Sequence, residues 1–267
     1  MTAHRNNIYL FYKKNEKILA NLSSLHELAE QNGFNIVSTL KEANIIVALG
    51  GDGTFLQAVR KSGFRDDCLY AGVTLDEQPS FYCDFNIDEK EKMVEAMTNA
   101  DIEVRRFPII EVKVDQNPPF YCLNECTIRS SVIKTLTADV YINDLHFETF
   151  RGDGIVIATP TGSTAYNKSI NGAVVDPLMD CMQISEIASL NNNTYRTLGS
   201  SFILSEQNSL TLRLGSYQNL NPIVGVDNEA LNIQQLEKIE VKLHHQKIKT
   251  VKLKDNSFWR RVQRTFL

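Results

Sequence analysis

Residues 50–54 read Gly-Gly-Asp-Gly-Thr. Glycines so closely spaced let a backbone approach a phosphate, and where a helix starts beside them its first N–H groups have no internal acceptor and attract an anion. Asp52 does not fit a plain phosphate cradle. A carboxylate at a helix N-terminus gains about 0.3–1 kcal/mol from the dipole, whereas a phosphate charge about 4 Å away repels it by about 4 kcal/mol at an effective dielectric near 20. Repulsion wins, so in a phosphate site Asp52 is either screened by a cation or present to take a proton. The residues leave one alternative open, an N-cap aspartate in a glycine-rich turn. The spacing matches neither G-x-G-x-x-G nor G-x-x-x-x-G-K-[ST].

Other stretches carry polar groups where the surrounding pattern is apolar. In F-Y-C-L-N-E-C-T-I an otherwise apolar strand presents Asn124 and Glu125; buried polar groups need hydrogen-bonding neighbours, and a turn or solvated edge is the alternative. T-P-T-G-S-T-A-Y-N-K-S at 159–169 follows an apolar run. There Pro160 and Gly162 shape a turn, Ser163 can cap the next helix, and Thr161, Ser163 and Thr164 offer hydroxyls to a polyphosphate or a ribose. A strand–loop–helix junction with a serine cap is the competing reading. Arg151, Gly152, Asp153 and Gly154 form a glycine-flanked turn, and Asp227 in V-G-V-D-N ends an apolar run. No zinc site is complete: His4, His26, His146, His244 and His245 show no ligand spacing, and Cys68, Cys83, Cys122, Cys126 and Cys181 are scattered, which predicts reduced, mostly buried thiols.

These residues need elements to position them. Ile45 to Leu49 are uniformly apolar, as in a parallel strand covered on both faces, and Phe55, Ala58 and Val59 follow at helical spacing. The glycine loop therefore joins a strand end to a helix start. Further strands are predicted over 8–12, 34–37 and 69–73, with a helical stripe from Ile18 to Ala29 that stops at Gly33 and another helix over 89–100. Alternating strands and helices imply a doubly wound parallel sheet with its site at the carboxyl ends of the strands.

Beyond residue 101 the texture changes to short apolar runs separated by turn signals, at 109–114, 120–128, 138–142, 154–159, 201–204, 210–214, 223–226, 239–243 and 248–253. Asn143 and Asp144 mark a hairpin. The expected organisation is an α/β domain over 1–100, a β-rich domain over 101–253 and a final helix over 254–267, with Phe258, Trp259, Val262 and Phe266 on one face and Arg260, Arg261 and Arg264 on others. A chain of 267 residues can bury sizeable cores. A net charge of -4 gives no reason to expect nucleic acid or an anionic membrane as a partner. No apolar run approaches the ~20 residues that span a bilayer, so a cytoplasmic protein is expected.

G-G-D-G-T resembles the signature shared by NAD kinases and the diacylglycerol and sphingosine lipid kinases, and more remotely phosphofructokinase. Asn124 with Glu125, and the 159–169 stretch, resemble NAD kinases in particular, so the likeness covers nearly the whole chain. It implies a Rossmann-like, phosphofructokinase-like N-terminal domain, a β-rich C-terminal domain, and a C-terminal helix that returns to the first. The implied activity is Mg²⁺-dependent transfer of the ATP γ-phosphate to the 2′-hydroxyl of the adenosine ribose of NAD, giving NADP and ADP. Gly50, Gly51, Gly53 and Thr54 would hold ATP phosphates, and Asp52 would be catalytic. Asp52, Gly53, Phe81, Tyr82, Asn124, Glu125, Arg151, Asp153, Thr161, Thr164, Ala165, Tyr166, Ser169, Ala188 and Asp227 would surround NAD. In that set Asn124 and Glu125 meet ribose hydroxyls and Phe81 and Tyr82 stack on the adenine. Asp153 reaches a nucleotide in a neighbouring subunit, which implies a homodimer or homotetramer with the NAD site near the interface. One departure is visible: where many NAD kinases carry G-H-L-G-F, this chain has L-D-E-Q-P-S-F-Y-C-D-F at 75–85, with Asp76, Glu77 and Pro79 giving an acidic, stiffer loop. Ile170 and Asn171 also stand where the family usually has smaller residues. A lipid kinase, or a non-catalytic nucleotide sensor derived from the enzyme, is the rival reading.

Overall fold

A computed structural model describes residues 6–77, 80–99, 101–215, 217, 222–231, 233 and 236–267. Gln78 and Pro79, part of the unusual 75–80 loop, lie outside the described residues. The chain forms two compact units, Met1–Arg106 with Ile248–Leu267, and Phe107–Lys247.

In the first unit β1 (Asn7–Tyr12), β2 (Asn35–Ile36), β3 (Ile45–Leu49), β4 (Leu69–Thr74) and β5 (Cys83–Asn86) pair in parallel, in the order β2-β1-β3-β4-β5. The helices α1 (Glu16–Gln31) and α2 (Asp52–Lys61) are the crossovers from β1 to β2 and from β3 to β4, and α3 (Lys90–Thr98) follows β5. Helix α1 starts at Asn15, whose amide oxygen accepts from the Lys17 and Ile18 N–H groups, and stops at Asn32, with Gly33 following at φ 77°. Helix α2 buries Phe55, Leu56, Ala58 and Val59. The parallel apolar runs are legible because both faces of such a sheet are covered. Strand β5 is not, since its Cys-Asp-Phe-Asn has no apolar pattern.

The second unit is almost entirely β. It contains the end of β6 (Ile102–Val114), then β7 (Phe120–Cys122), β8 (Glu125–Arg129), β9 (Leu136–Ile142), β10 (Leu145–Gly152), β11 (Gly154–Ala158), a 3-10 turn (Thr161–Thr164) and the single-turn α4 (Tyr166–Ser169). After these come β12 (Cys181–Ile187), β13 (Phe202–Ser205), β14 (Ser209–Arg213), β15 (Ile223–Val226), β16 (Glu229–Leu231) and the start of β17 (Lys238–Leu253). One antiparallel sheet has the order β13-β12-β11-β8-β15-β16. A second antiparallel ladder runs β10-β9-β14-β17, with the β9–β10 hairpin turning at Asn143, φ 53°. Side chains including Cys126, Ile128, Ile157, Ile184, Leu212 and Val241 fill the core. All five cysteines are buried free thiols.

Three sequence expectations need revision. The run expected as one strand over 120–128 is broken between Cys122 and Glu125, because backbone N–H groups there are directed at the Asp227 carboxylate rather than into a ladder. The separate strands expected over 239–243 and 248–253 are one, β17. Strand β12 was hidden because its inward residues include Gln183 and Ser185, 1% and 0% exposed, so no apolar run appears.

β17 carries the chain back into the first unit, where Thr250 pairs with Tyr70 of β4, and α5 (Phe258–Phe266) follows. Ser257 caps α5 by accepting from the Arg260 N–H. The helix buries the expected face only in part: Phe258, Val262 and Phe266 are partly buried, but Trp259 is 50% exposed and Arg261 is buried instead. Arg261 reaches Asp84, as does Lys252 at 3.1 Å, and all three side chains are withdrawn from solvent. Burial lowers the Lys252 pKa to about 8, against the opposing attraction of Asp84. Removing one member of such a cluster leaves buried charge uncompensated. Asp84→Asn is therefore expected to lower stability by about 3 kcal/mol, measured as a shift in the urea unfolding midpoint of the whole chain.

Candidate active site

The first unit holds the glycine loop. Gly50 follows β3 at φ 142°, its N–H donates to the Val73 carbonyl at 2.8 Å, and a Cβ there would lie 2.4 Å from the Thr54 hydroxyl oxygen. Only glycine satisfies both constraints. Gly51 is the N-cap of α2 and supplies no side chain, so Asp52 is the first helical residue and not the cap. Its carboxylate turns instead to the segment before β5. Oδ1 accepts from the Tyr82 N–H at 2.8 Å and from the Ser80 hydroxyl, and Oδ2 accepts from the Phe81 N–H at 2.9 Å. Three donors from consecutive residues hold one anion in one orientation. Gly51 and Thr54 are partly exposed and Gly53 is exposed, so the N-terminal turn of α2 retains access to solvent.

The adjacent rings depart from expectation. Tyr82 is 3% exposed, and its ring lies parallel to that of Phe55 at 4.7 Å. That ring is a core residue and is not free to stack on an adenine. Phe81 is partly buried, 5.8 Å from Phe266 and 6.1 Å from Phe258. The two rings diverge in the bend before β5: Tyr82 enters the core against Phe55, while Phe81 meets α5.

The second unit gathers the polar motifs around another clamp of the same kind. Asp227, at φ 50°, directs its carboxylate to the N–H groups of Leu123 (3.2 Å), Asn124 (2.7 Å) and Glu125 (3.3 Å). Asp227 therefore shapes the Asn124 turn. The loop after β11 packs onto that turn: the Thr159 N–H donates to the Asn124 carbonyl at 2.8 Å, and Thr161 donates its hydroxyl to the Leu123 carbonyl at 2.8 Å. Gly162 is required for this approach, because a Cβ would fall 2.0 Å from the Asn124 carbonyl oxygen. Asn124, Glu125, Thr161, Gly162 and Asp227 are thus brought together.

The hydroxyls expected to face a ligand are largely used internally. Thr164 donates to the Thr161 carbonyl at 3.2 Å, and Ser163 donates to the Pro160 carbonyl at 2.6 Å and accepts from the Val175 N–H at 2.9 Å. Ser163 does not cap α4, which has no side-chain cap; its hydroxyl ties two loops together instead. Ala165 and Tyr166 are partly exposed, with the Arg129 guanidinium 6.0 Å from the Tyr166 ring centre, and Ser169 is exposed, donating to the Tyr166 carbonyl at 2.7 Å. Asn167, whose letters carry no functional signal of their own, is fully buried and accepts from Ser185 at 2.6 Å.

Glu125 is the most perturbed acid of this group. It is 7% exposed, its Oε2 is buried without a hydrogen-bonding neighbour among the described residues, and burial, with the nearby Asp227 charge, raises its pKa to about 8. A carboxyl so placed holds its proton at neutral pH and changes charge when a hydrogen-bond donor arrives. Toward the other end of β11, Arg151 stacks on Tyr195 at 4.0 Å, Asp153 is exposed, and Ala188 is exposed at φ 45°. Among the described residues no cluster of three or more His, Cys, Asp or Glu side chains could hold a metal, and no helix is long and apolar enough to cross a membrane.

Comparison with known proteins gives these two loops a context. Residues 123–253 match the family model described as ATP-NAD kinase C-terminal domain. The chain is 62% identical to NAD kinase 2 of Bacillus subtilis and 57% identical to NAD kinase 2 of Geobacillus kaustophilus, in each case over 267 residues that cover 100% of both chains. Its fold is similar to that of yeast NADH kinase complexed with NADH, at TM-score 0.78 and 20% identity over 97% of this chain and 86% of the other. It is also similar to an NAD kinase from Archaeoglobus fulgidus in complex with ATP, at TM-score 0.75 and 20% identity over 97% and 99%. With the motifs in this order and full-length identity of this size, the chain belongs to the NAD kinase family.

Proposed function

We propose that this chain is a cytoplasmic NAD kinase, transferring the ATP γ-phosphoryl group to the 2′-hydroxyl of the adenosine ribose of NAD. The observation that carries the reading is the Asp52 carboxylate, fixed by Ser80, Phe81 and Tyr82 at the open N-terminus of a helix it does not cap. Phosphoryl transfer rests on alignment and charge neutralisation. Gly51, Gly53 and Thr54 lie at the accessible turn that receives the phosphates, and Gly50, whose N–H is held by the Val73 carbonyl, shapes that turn. Asp52 Oδ2, which accepts one hydrogen bond where Oδ1 accepts two, keeps a lone pair for the 2′-hydroxyl proton. The O–H bond breaks toward that oxygen, the ribose oxygen bonds to phosphorus, and ADP departs. General-base assistance of this kind is worth about 10²–10⁴-fold.

A magnesium ion, when bound, screens the triphosphate. Its ligands would be mainly ATP phosphate oxygens beside the glycine loop and water.

Asn124 and Glu125 receive the adenosine ribose hydroxyls, Thr161, Thr164 and Ala165 line the same loop, and Tyr166 and Ser169 lie against NAD. Asp227 serves through the backbone it holds. Phe81, with a partly exposed ring, stays a candidate for contact with the base, a role the buried Tyr82 ring does not share. Arg151 is partly exposed and Asp153 and Ala188 are exposed; all three meet NAD, Asp153 by reaching a nucleotide held in a neighbouring copy of a homodimer or homotetramer.

Two outcomes are expected. Asp52→Asn folds normally, binds NAD, and loses at least about a hundredfold in turnover, measured as NADP formed from NAD, Mg²⁺ and ATP; near-normal turnover removes Asp52 from the mechanism. Because ribose hydroxyls donate to the charged form of Glu125 and lower its pKa from about 8, NAD binding at pH 7 releases close to one proton. Calorimetric titration in buffers of different ionisation enthalpy reads this number, and Glu125→Gln abolishes it.

A further inference from the structure

The Asp52 clamp has a second side. The peptide joining Phe81 to Tyr82 donates its N–H to Asp52 Oδ1 at 2.8 Å, while its carbonyl, on Phe81, accepts from Lys252 Nζ at 3.0 Å and Arg261 Nη1 at 3.2 Å. The next carbonyl, on Tyr82, accepts from Lys252 Nζ at 2.7 Å. One amide is thus stretched between an anion and two cations, and each bond polarises the other. Asp84 fixes the cations, taking Lys252 at 3.1 Å and Arg261 on Oδ1, while its Oδ2 accepts from the Leu253 N–H at 2.8 Å. Arg261 is tied further to the Asn256 carbonyl at 2.9 Å, and Phe258 and Phe266 of α5 hold the Phe81 ring.

We propose that Lys252 and Arg261 are positioning residues for the reaction: from the C-terminal segment they hold the Ser80–Tyr82 backbone, which in turn aims the Asp52 carboxylate. This rests on the reading of Asp52 as the base. A buried lysine and arginine that served stability alone would need only Asp84 as counter-ion. Here Lys252 also donates to both carbonyls of the strip that holds Asp52, and Arg261 to the first of them. Lys252 touches no reacting atom and acts through the peptide.

Lys252→Met removes the donors to both carbonyls and leaves Asp84 paired with Arg261, a cluster of no net charge that the interior tolerates better than a lone ion. The experiment is a double-mutant cycle with Asp52→Asn on the whole chain, reading kcat and KM for NAD in NADP formation. Lys252→Met is expected to lower kcat about tenfold or more with KM within about threefold, and to cost less than about twofold once Asp52 is asparagine, because residues acting through one group are not additive. An equal loss in both backgrounds, or unchanged kcat, overturns the proposal. Asp52→Asn alone at near-normal turnover overturns the reading beneath it instead. If Lys252→Met fails to fold by circular dichroism, the same cycle with Arg261→Lys decides, since that change keeps the charge and loses the fork that spans Phe81, Asp84 and Asn256.

Discussion

Everything at the glycine loop depends on how an anion is kept still. Asp52 stands at a helix start, where it would ordinarily turn back to cap its own backbone. Gly51 occupies the capping position, and the carboxylate is drawn to Ser80, Phe81 and Tyr82 instead. Charge-assisted bonds are shorter and stronger than neutral ones, and three of them, two from backbone N–H groups and one from the Ser80 hydroxyl, remove the side chain's freedom to rotate. A carboxylate held this way needs no reorganisation when a substrate arrives, which is where electrostatic pre-organisation acts.

The second unit repeats the device for a different end. Asp227 binds the N–H groups of Leu123, Asn124 and Glu125, breaking what would have been one strand. The break leaves Asn124 partly exposed and buries Glu125 in a setting that withholds its charge. Thr159, Thr161 and Gly162 then lock against the same turn. In both units an aspartate organises backbone, and the backbone organises the polar groups.

Much of this was legible from the residues. The strand, glycine loop and helix over 45–59 follow from an apolar run, clustered glycines and a helical period, and the motifs at 124–125 and 159–169 carried the family resemblance. The parts that stayed hidden share a physical cause. The resemblance points Tyr82 at an adenine, and nothing in the local letters shows that Phe55 lies parallel to it and keeps its ring in the core. The hydroxyls of Ser163 and Thr164 were read as ligand donors because the carbonyls they meet become neighbours only when the loop closes. Asp84, Lys252 and Arg261 are far apart in sequence, and charged residues are assumed to face water. A signal did exist for one of them: Ile248, Thr250 and Lys252 fall on one face of β17 at a spacing of two, and all three are fully buried.

The path of β17 also fixes an order of assembly. Residues 107–247 form one uninterrupted unit, whereas the first unit takes its closing strand and helix from 248–267. During synthesis the β-rich unit can complete its core as soon as its own residues have emerged. The α/β unit cannot, because Asp84 must wait for Arg261 to leave the ribosome before its charge is matched. Until then the glycine loop lacks the far side of its clamp, so the later-made β-rich unit is the one free to complete its core first.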